Sequence, residues 1–306
     1  MKTLDIVLPV YNEEACLDKT IERLVAVKNG LGGDYKVNFI FIDDGSEDKS
    51  LEILKNYAEK FPFIKIISFT RNFGHQSAIW AGIENSSADF IVLIDADLQD
   101  PPEIIKEMVN KAESENAQIV YGKRLKRRKE NPFKKITAFL YYRIFKYLCR
   151  IDMPLDTGDF RLITQSVAQA LRTMPERNKF LRGMIAWTGF KSVPIEYERE
   201  ERYAGKTKYS LSKMFKLAFD GIFAFSDRPV KFINLASLTL LLCAVILTLY
   251  GRHLGFMFFF FGVTGLVLFC CAIQLFAIGI IGEYLIRTFD NSKERPVYII
   301  NSKVNF

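Results

Sequence analysis

Three carboxylates stand together where an apolar run ends. In FIVLIDADLQD, Phe90 to Asp100, the acids Asp95, Asp97 and Asp100 have no basic residue among them. Carboxylates so close repel one another, and a bound cation removes that cost. A divalent ion held there binds phosphate oxygens well, so the chemistry suggested is handling of a phosphorylated substrate. Other polar residues follow other apolar runs: Pro9-Val10-Tyr11-Asn12-Glu13, Asp43-Asp44, Arg71-Asn72 and Gly122-Lys123-Arg124.

These clusters need a scaffold, and the pattern around them supplies one. LDIVLPVY, KVNFIFIDD, IKIISFT, DFIVLIDADLQD and AQIVYGKR read as short buried strands. Between them NEEACLDKTIERLVAVKN, SEDKSLEILKNYAEKF, GHQSAIWAGIENS and PPEIIKEMVNKAESEN read as helices. Repeated strand–helix units predict an α/β fold with a mostly parallel sheet covered on both faces. Ligands bind beyond the carboxyl ends of such strands, where every cluster falls. If the fourth strand runs to its acids, period two sets Asp95 and Asp97 on one face. Asp100 reads as the cap of a helix begun by Pro101. Neither G-x-G-x-x-G nor G-x-x-x-x-G-K-[ST] is present, so no glycine cradle holds phosphate and a cation is the substitute.

The 306 residues carry a net charge of +7, which favours anionic partners. The five cysteines form no C-x-x-C pair and His75 and His253 are the only histidines, which excludes a disulfide framework and a histidine-rich metal site. Early acids in MKTLDIVLPVYNEE argue against a signal peptide. Two uncharged runs close the chain, Phe232 to Tyr250 and Phe256 to Gly282. As helices they would be about 28 Å and about 40 Å long, enough to cross a membrane. The short linker between them predicts a hairpin with both flanks on one side. Arg228, Lys231, Arg287, Lys293 and Arg295 flank it, against Arg252 in its loop, which predicts a cytoplasmic catalytic part. FKKITAFLYYRIFKYL (133–148) and LSKMFKLAFDGIFAFS (211–226) read as basic amphipathic helices at the membrane surface. Arg127-Arg128-Lys129 reads as a solvated loop or a site for lipid phosphate.

PVYNEE, DDGSEDKS, RNFGHQSAIWAGI and DADLQDPPE in this order resemble the family-two glycosyltransferases. With TGDFRL, ERYAGKTKYSLSKM and the C-terminal runs, the chain resembles the polyprenyl-phosphate glycosyltransferases, related to dolichol-phosphate mannose synthase and the bactoprenol glucosyltransferases. The resemblance implies a GT-A fold, a nucleotide-sugar donor, Mg²⁺ or Mn²⁺, and inversion at the anomeric carbon. It implies a nucleotide-sugar pocket from Pro9, Tyr11, Glu13, Asp43 or Asp44, Asp95, Arg124, Arg202 and Lys208. It gives Asp95 and Asp97, with Gln99, to the metal. Thr207 replaces the usual Ser of the last basic motif and keeps its hydroxyl.

Asp159 in TGDFRL, with Arg161 beside it, is implied to act as a base or to position the acceptor; the bland alternative is a helix cap before FRLIT. His75 reads as lining the pocket. The implied acceptor is a polyprenyl phosphate, undecaprenyl phosphate in a bacterial cytoplasmic membrane, and the first-choice donor is UDP-glucose. GDP-mannose, UDP-galactose and other lipid acceptors stay open, as does a homo-oligomer. Nucleic acid is not among the expected partners. The domain expectation is a catalytic domain over 1–210, a juxtamembrane helix over 211–231, two spans over 232–282 and a cytoplasmic tail over 283–306.

Overall fold

Strand β1 (Lys2–Val10) lies at the centre of the sheet, and from Leu4 to Val10 every residue is buried. Its parallel neighbours are β2 (Tyr35–Asp43) and β4 (Phe90–Leu93), and β2 pairs in turn with β3 (Ile64–Phe69). The one buried charge of β1, Asp5, is answered by Asn38 Nδ2 at 2.8 Å and Ser86 Oγ at 2.6 Å, both donating. The chain is seen here in a computed structural model that describes residues 1–125, 157–200, 226, 228–251 and 256–306.

Four further strands complete the sheet: β5 (Ile119–Arg124), β6 (Thr157–Thr164), β7 (Ser192–Tyr197) and β8 (Ile300–Val304). The order is β7-β5-β6-β4-β1-β2-β3-β8. Strand β6 runs antiparallel to β4 and β5, and β8 antiparallel to β3; the other pairs are parallel. The mostly parallel α/β sheet expected of a GT-A fold is therefore present. FRLIT lies in β6, so Asp159 caps no helix there.

Helices α1 (Glu14–Gly30), α2 (Ser50–Lys60), α3 (His75–Asn85), α4 (Ile104–Ser114), α5 (Gln165–Arg172) and α6 (Leu181–Trp187) cover the sheet. On one face Leu17, Ile21, Leu54 and Met108 from α1, α2 and α4 pack with Leu4, Ile6 and Leu8. On the other, Ala78, Val167 and Met184 from α3, α5 and α6 pack with Val7. A Cβ on Gly82 would come within 2.1 Å of Val7 Cγ1, so the bare glycine lets α3 settle onto β1.

Two expectations need correction. Strand β4 stops at Leu93, so Asp95 to Asp100 form a turn, with Leu98 at φ 59°, and not the end of a pleated strand. The period-two argument for one shared face thus lapses. Asp100 caps nothing: α4 starts at Ile104 without a side-chain cap, and Asp100 is buried among other partners.

The first apolar run lies in α7 (Arg228–Gly251), where Phe232, Leu235, Leu238 and Leu241 are exposed. The second lies in α8 (Phe256–Ser292), which extends past Gly282. Among the described residues one helical stretch, Gly262–Ser292, is long and apolar enough to cross a membrane. Beyond α8 the tail returns to the domain as β8. Tyr298 stacks on Phe69 at 4.8 Å and its hydroxyl donates to Glu84 at 2.6 Å. The expected amphipathic segment 133–148 and the run 127–129 lie outside the described residues, as does nearly all of 211–226.

Candidate active site

The carboxyl ends of β1 to β4 meet at one edge of the sheet, and antiparallel β6 brings its own beginning there. Strand β4 pairs with β6 as far as Leu93 opposite Arg161, and Asp95 and Asp159 lie just past that pair, each within reach of His75. Two motifs separated by more than sixty residues are joined in this way.

Between the two acids stands His75, the first residue of α3. Its Nε2 lies 2.8 Å from Asp95 Oδ1, and its Nδ1 lies 3.9 Å from Asp159 Oδ2. A carboxylate only accepts, so Nε2 carries the proton. Burial pulls the imidazole pKa down, but the charge and hydrogen bond of Asp95, with the charge of Asp159, outweigh it and raise the value to about 9. Burial would raise Asp95; the neighbouring His75 outweighs that and holds it below its ordinary value.

Asp159 has a stronger partner that the sequence did not reveal. Arg182 Nε donates to Oδ1 at 2.6 Å and Nη2 to Oδ2 at 2.9 Å. Burial works to raise the Asp159 pKa, yet Arg182, His75 and Arg161 together hold it well below the carboxylate range. Arg161 is itself buried and donates to the Gly158 carbonyl at 2.8 Å; burial lowers its pKa to about 10. No local pattern in FLRGMIAW marks Arg182, because its role arises from α6 packing beside α3. The Leu181 N–H donates to Gln76 Oε1 at 3.1 Å and fixes that juxtaposition.

The loops that follow β1 and β2 are tied to one another. Asn12, at φ 53°, receives Ser46 as acceptor for its N–H at 3.0 Å, and its Oδ1 accepts from the Glu47 N–H at 2.8 Å. Glu13 N–H donates to Ser50 Oγ at 2.8 Å. Pro9 is buried within β1, whereas Tyr11 and Glu13 are half-buried beyond it. Asp43 and Asp44 are both buried and brace loops: Asp43 accepts from Ser46 N–H at 3.1 Å and Ser68 Oγ at 2.8 Å, Asp44 from Phe73 N–H at 2.6 Å and Gly74 N–H at 2.9 Å. Burial raises the Asp44 pKa to about 6 despite those two N–H donors.

On the other flank Asp100 is a buried hub. Tyr197 Oη donates to it at 2.5 Å, Arg124 Nη2 lies 3.3 Å away, and Arg199 Nε 3.6 Å. Arg124 thus stands beside the acidic turn. Tyr197 and Arg199 were not singled out in the sequence; the alternating burial of SVPIEY marks a strand but not its partner. Glu200 N–H donates to the Gln99 carbonyl at 2.9 Å and ties the segment after β7 to the acidic turn. Arg202 and Lys208 themselves lie outside the described residues.

A divalent cation fits the donor set. Asp95 and Asp97 offer hard oxygens, and Gln99 lies on the same turn, its N–H donating to Asp97 Oδ1 at 3.1 Å. Among the described residues no group of three His, Cys, Asp or Glu side chains forms a complete cage. Mg²⁺ itself takes one or two carboxylates and fills its shell from substrate phosphates and water.

The family model described as Glycosyl transferase family 2 matches residues 5–172, more than half of the chain. The chain belongs to this family. The matched span holds most of β1, all of β2 to β6 and α1 to α5, and with them Asp95, Asp97, His75 and Asp159. Arg182 lies beyond it. The chain is 43% identical to an uncharacterized glycosyltransferase, YkcC, of Bacillus subtilis, over 96% of this chain and 92% of that one. It is 35% identical to a prophage bactoprenol glucosyl transferase homolog of Escherichia coli, over 97% of this chain and 98% of the relative. It is also 35% identical to the bactoprenol glucosyl transferase of Shigella phage SfV, over 98% of each.

Proposed function

We propose that this family-2 glycosyltransferase moves one sugar from a nucleoside diphosphate sugar, with UDP-glucose as the first donor, to a polyprenyl phosphate, with inversion. The observation that carries the reading is the placement of Asp95 and Asp159 on either side of His75, on a chain whose near full-length relatives include proteins named bactoprenol glucosyl transferase.

Bond changes balance simply. A phosphate oxygen of the acceptor forms the new bond to the anomeric carbon. The bond from that carbon to the donor diphosphate breaks, and its electron pair leaves with the nucleoside diphosphate. A divalent cation bound by Asp95 and Asp97 would neutralise the charge on that diphosphate. Arg124, held by Asp100 and Tyr197, adds positive charge at the same edge of the site. Asp159 is a poor general base, since Arg182 occupies both its oxygens and holds it ionised with low basicity. A base is dispensable here: a phosphate monoester has its second pKa near 6 and is mostly the nucleophilic dianion at neutral pH. Asp159 instead fixes Arg182 and Arg161 around the acceptor side.

The lipid acceptor gives the C-terminal helices their purpose, holding the domain where a lipid headgroup can reach it. The reading places α7 and α8 as a two-span hairpin in a bacterial cytoplasmic membrane, with the catalytic domain and tail in the cytoplasm. Pairing of β8 with β3 supports it, because a single crossing would put those strands on opposite sides.

The test is direct. Full-length protein in detergent is given UDP-glucose, Mn²⁺ or Mg²⁺ and undecaprenyl phosphate, and the lipid phase is extracted. The expected product is a glucosylated lipid that disappears with chelator and returns with metal. No lipid-linked sugar from any of a panel of nucleotide sugars would overturn the reading.

A further inference from the structure

His75 belongs to no part of the reaction described above, yet it fills the gap between the two acids on which that reading rests. Its backbone is unusually well fixed. Gly74, at φ 98°, turns the chain into α3, and the buried Asp44 carboxylate grips the N–H groups of Phe73 and Gly74 just before it. Gln76, the next residue, anchors α6 through Leu181. The ring is thus held from below while its Nε2 addresses Asp95 at 2.8 Å. The 3.9 Å from Nδ1 to Asp159 is too long for a hydrogen bond and is a charge contact.

We infer that His75 is a positioning residue: it orients the Asp95 carboxylate as a cation ligand and spaces it from Asp159. The physical case is that a carboxylate with one oxygen committed to a fixed N–H has lost most of its rotational freedom. Asp95 needs such a brace, because it sits on a turn outside the β4 ladder and its side chain is 29% exposed. Asp97 is steadied locally by the Gln99 N–H, so the two acids are held by different devices. Outer partners of ligating side chains typically change metal affinity by about 10–100-fold when removed.

The inference rests on the reading of Asp95 as a cation ligand, and the experiment separates the two. Mn²⁺ binding is followed by electron paramagnetic resonance in the presence of UDP, without turnover, for the full-length protein and its His75→Ala, His75→Gln and Asp95→Ala variants. Thermal melting confirms that each is folded. His75→Ala is expected to bind Mn²⁺ about 10–100-fold more weakly. His75→Gln, which keeps an N–H donor, is expected to fall between it and the parent. A purely structural role would lower the melting temperature and leave Mn²⁺ affinity of the folded protein unchanged. If Asp95→Ala weakens binding but both His75 variants match the parent, the inference is overturned and the metal reading stands. If Asp95→Ala itself binds normally, the metal reading fails, and the inference with it.

Discussion

Both oxygens of Asp159 are taken by one guanidinium, that of Arg182, at 2.6 Å and 2.9 Å. Such two-point pairing suits the planar fork of arginine and fixes both groups in orientation. It joins β6 to α6 across the floor of the site, and it decides what Asp159 can do.

Arg182→Ala leaves the Asp159 charge in a nearly dry place without its main partner. We expect a loss of about 3 kcal/mol in unfolding free energy and a large fall in turnover. Arg182→Lys is expected to recover little, because an ammonium cannot make the same two-point contact. Asp159→Asn should nearly abolish turnover, since an amide offers one acceptor where two are needed. Denaturation midpoints and lipid-product assays on the three variants check this; near-normal turnover of Asp159→Asn would sink the assignment.

Asp44 gives a pH signature. Its folded pKa, raised by burial to about 6, exceeds the ordinary aspartate value. Between about pH 4 and pH 6 the folded form therefore holds a proton that the unfolded form has lost, and stability falls as pH rises through that window. The total is on the order of 3 kcal/mol. Denaturation of the parent and of Asp44→Asn across pH 4 to 7 should show the parent's advantage shrinking as pH rises, then levelling. An advantage that grows with pH would contradict the sign.

Gly45, at φ 67°, closes the turn after β2 against the neighbouring loop. A Cβ there would lie 2.5 Å from the Arg71 carbonyl carbon and 2.7 Å from the Asn72 nitrogen, both backbone. Gly45→Ala combines an unfavourable φ with that clash, and we expect a loss of about 1–3 kcal/mol. Gly33→Ala, where a Cβ meets nothing within 4 Å, is the control. Thermal melts of the two variants should separate clearly.

Strand β8 makes topology testable. Reporters fused before Met1 and after Phe306 should both be found on one side of the membrane, because Ser302 and Lys303 pair with Ser68 and Ile67 in one sheet. Opposite locations would rule out the hairpin.

Much of this was legible in the chain. The strand and helix succession from LDIVLPVY to AQIVYGKR agrees with β1 to β5 and α1 to α4, because strands buried on both faces must be apolar runs and their helices carry a 3.6-residue period. The acids of DADLQD stand out as a group in the sequence, but the end of the strand does not: hydrophobicity continues through Ile94 and Ala96, whereas the ladder ends at Leu93. Strand β6 was seen only as a motif, since eight residues of mixed polarity carry no long-range partner in their pattern. Strand β8 lies in a short tail whose pairing with β3 no local pattern marks.

By itself, then, the sequence determined which residue types could bind phosphate and metal, that a parallel sheet would present them at one edge, and that the C-terminal runs are apolar enough for lipid. Those properties are local: they depend on composition and short periods. The tertiary structure alone decided which distant groups meet. Antiparallel β6 brings Asp159 to the edge where Asp95 lies, α3 sets His75 between them, and α6 brings Arg182 up from beyond the span the family model matches. Strand direction and helix packing fix those distances, and neither is written in any window of residues short enough to be read alone.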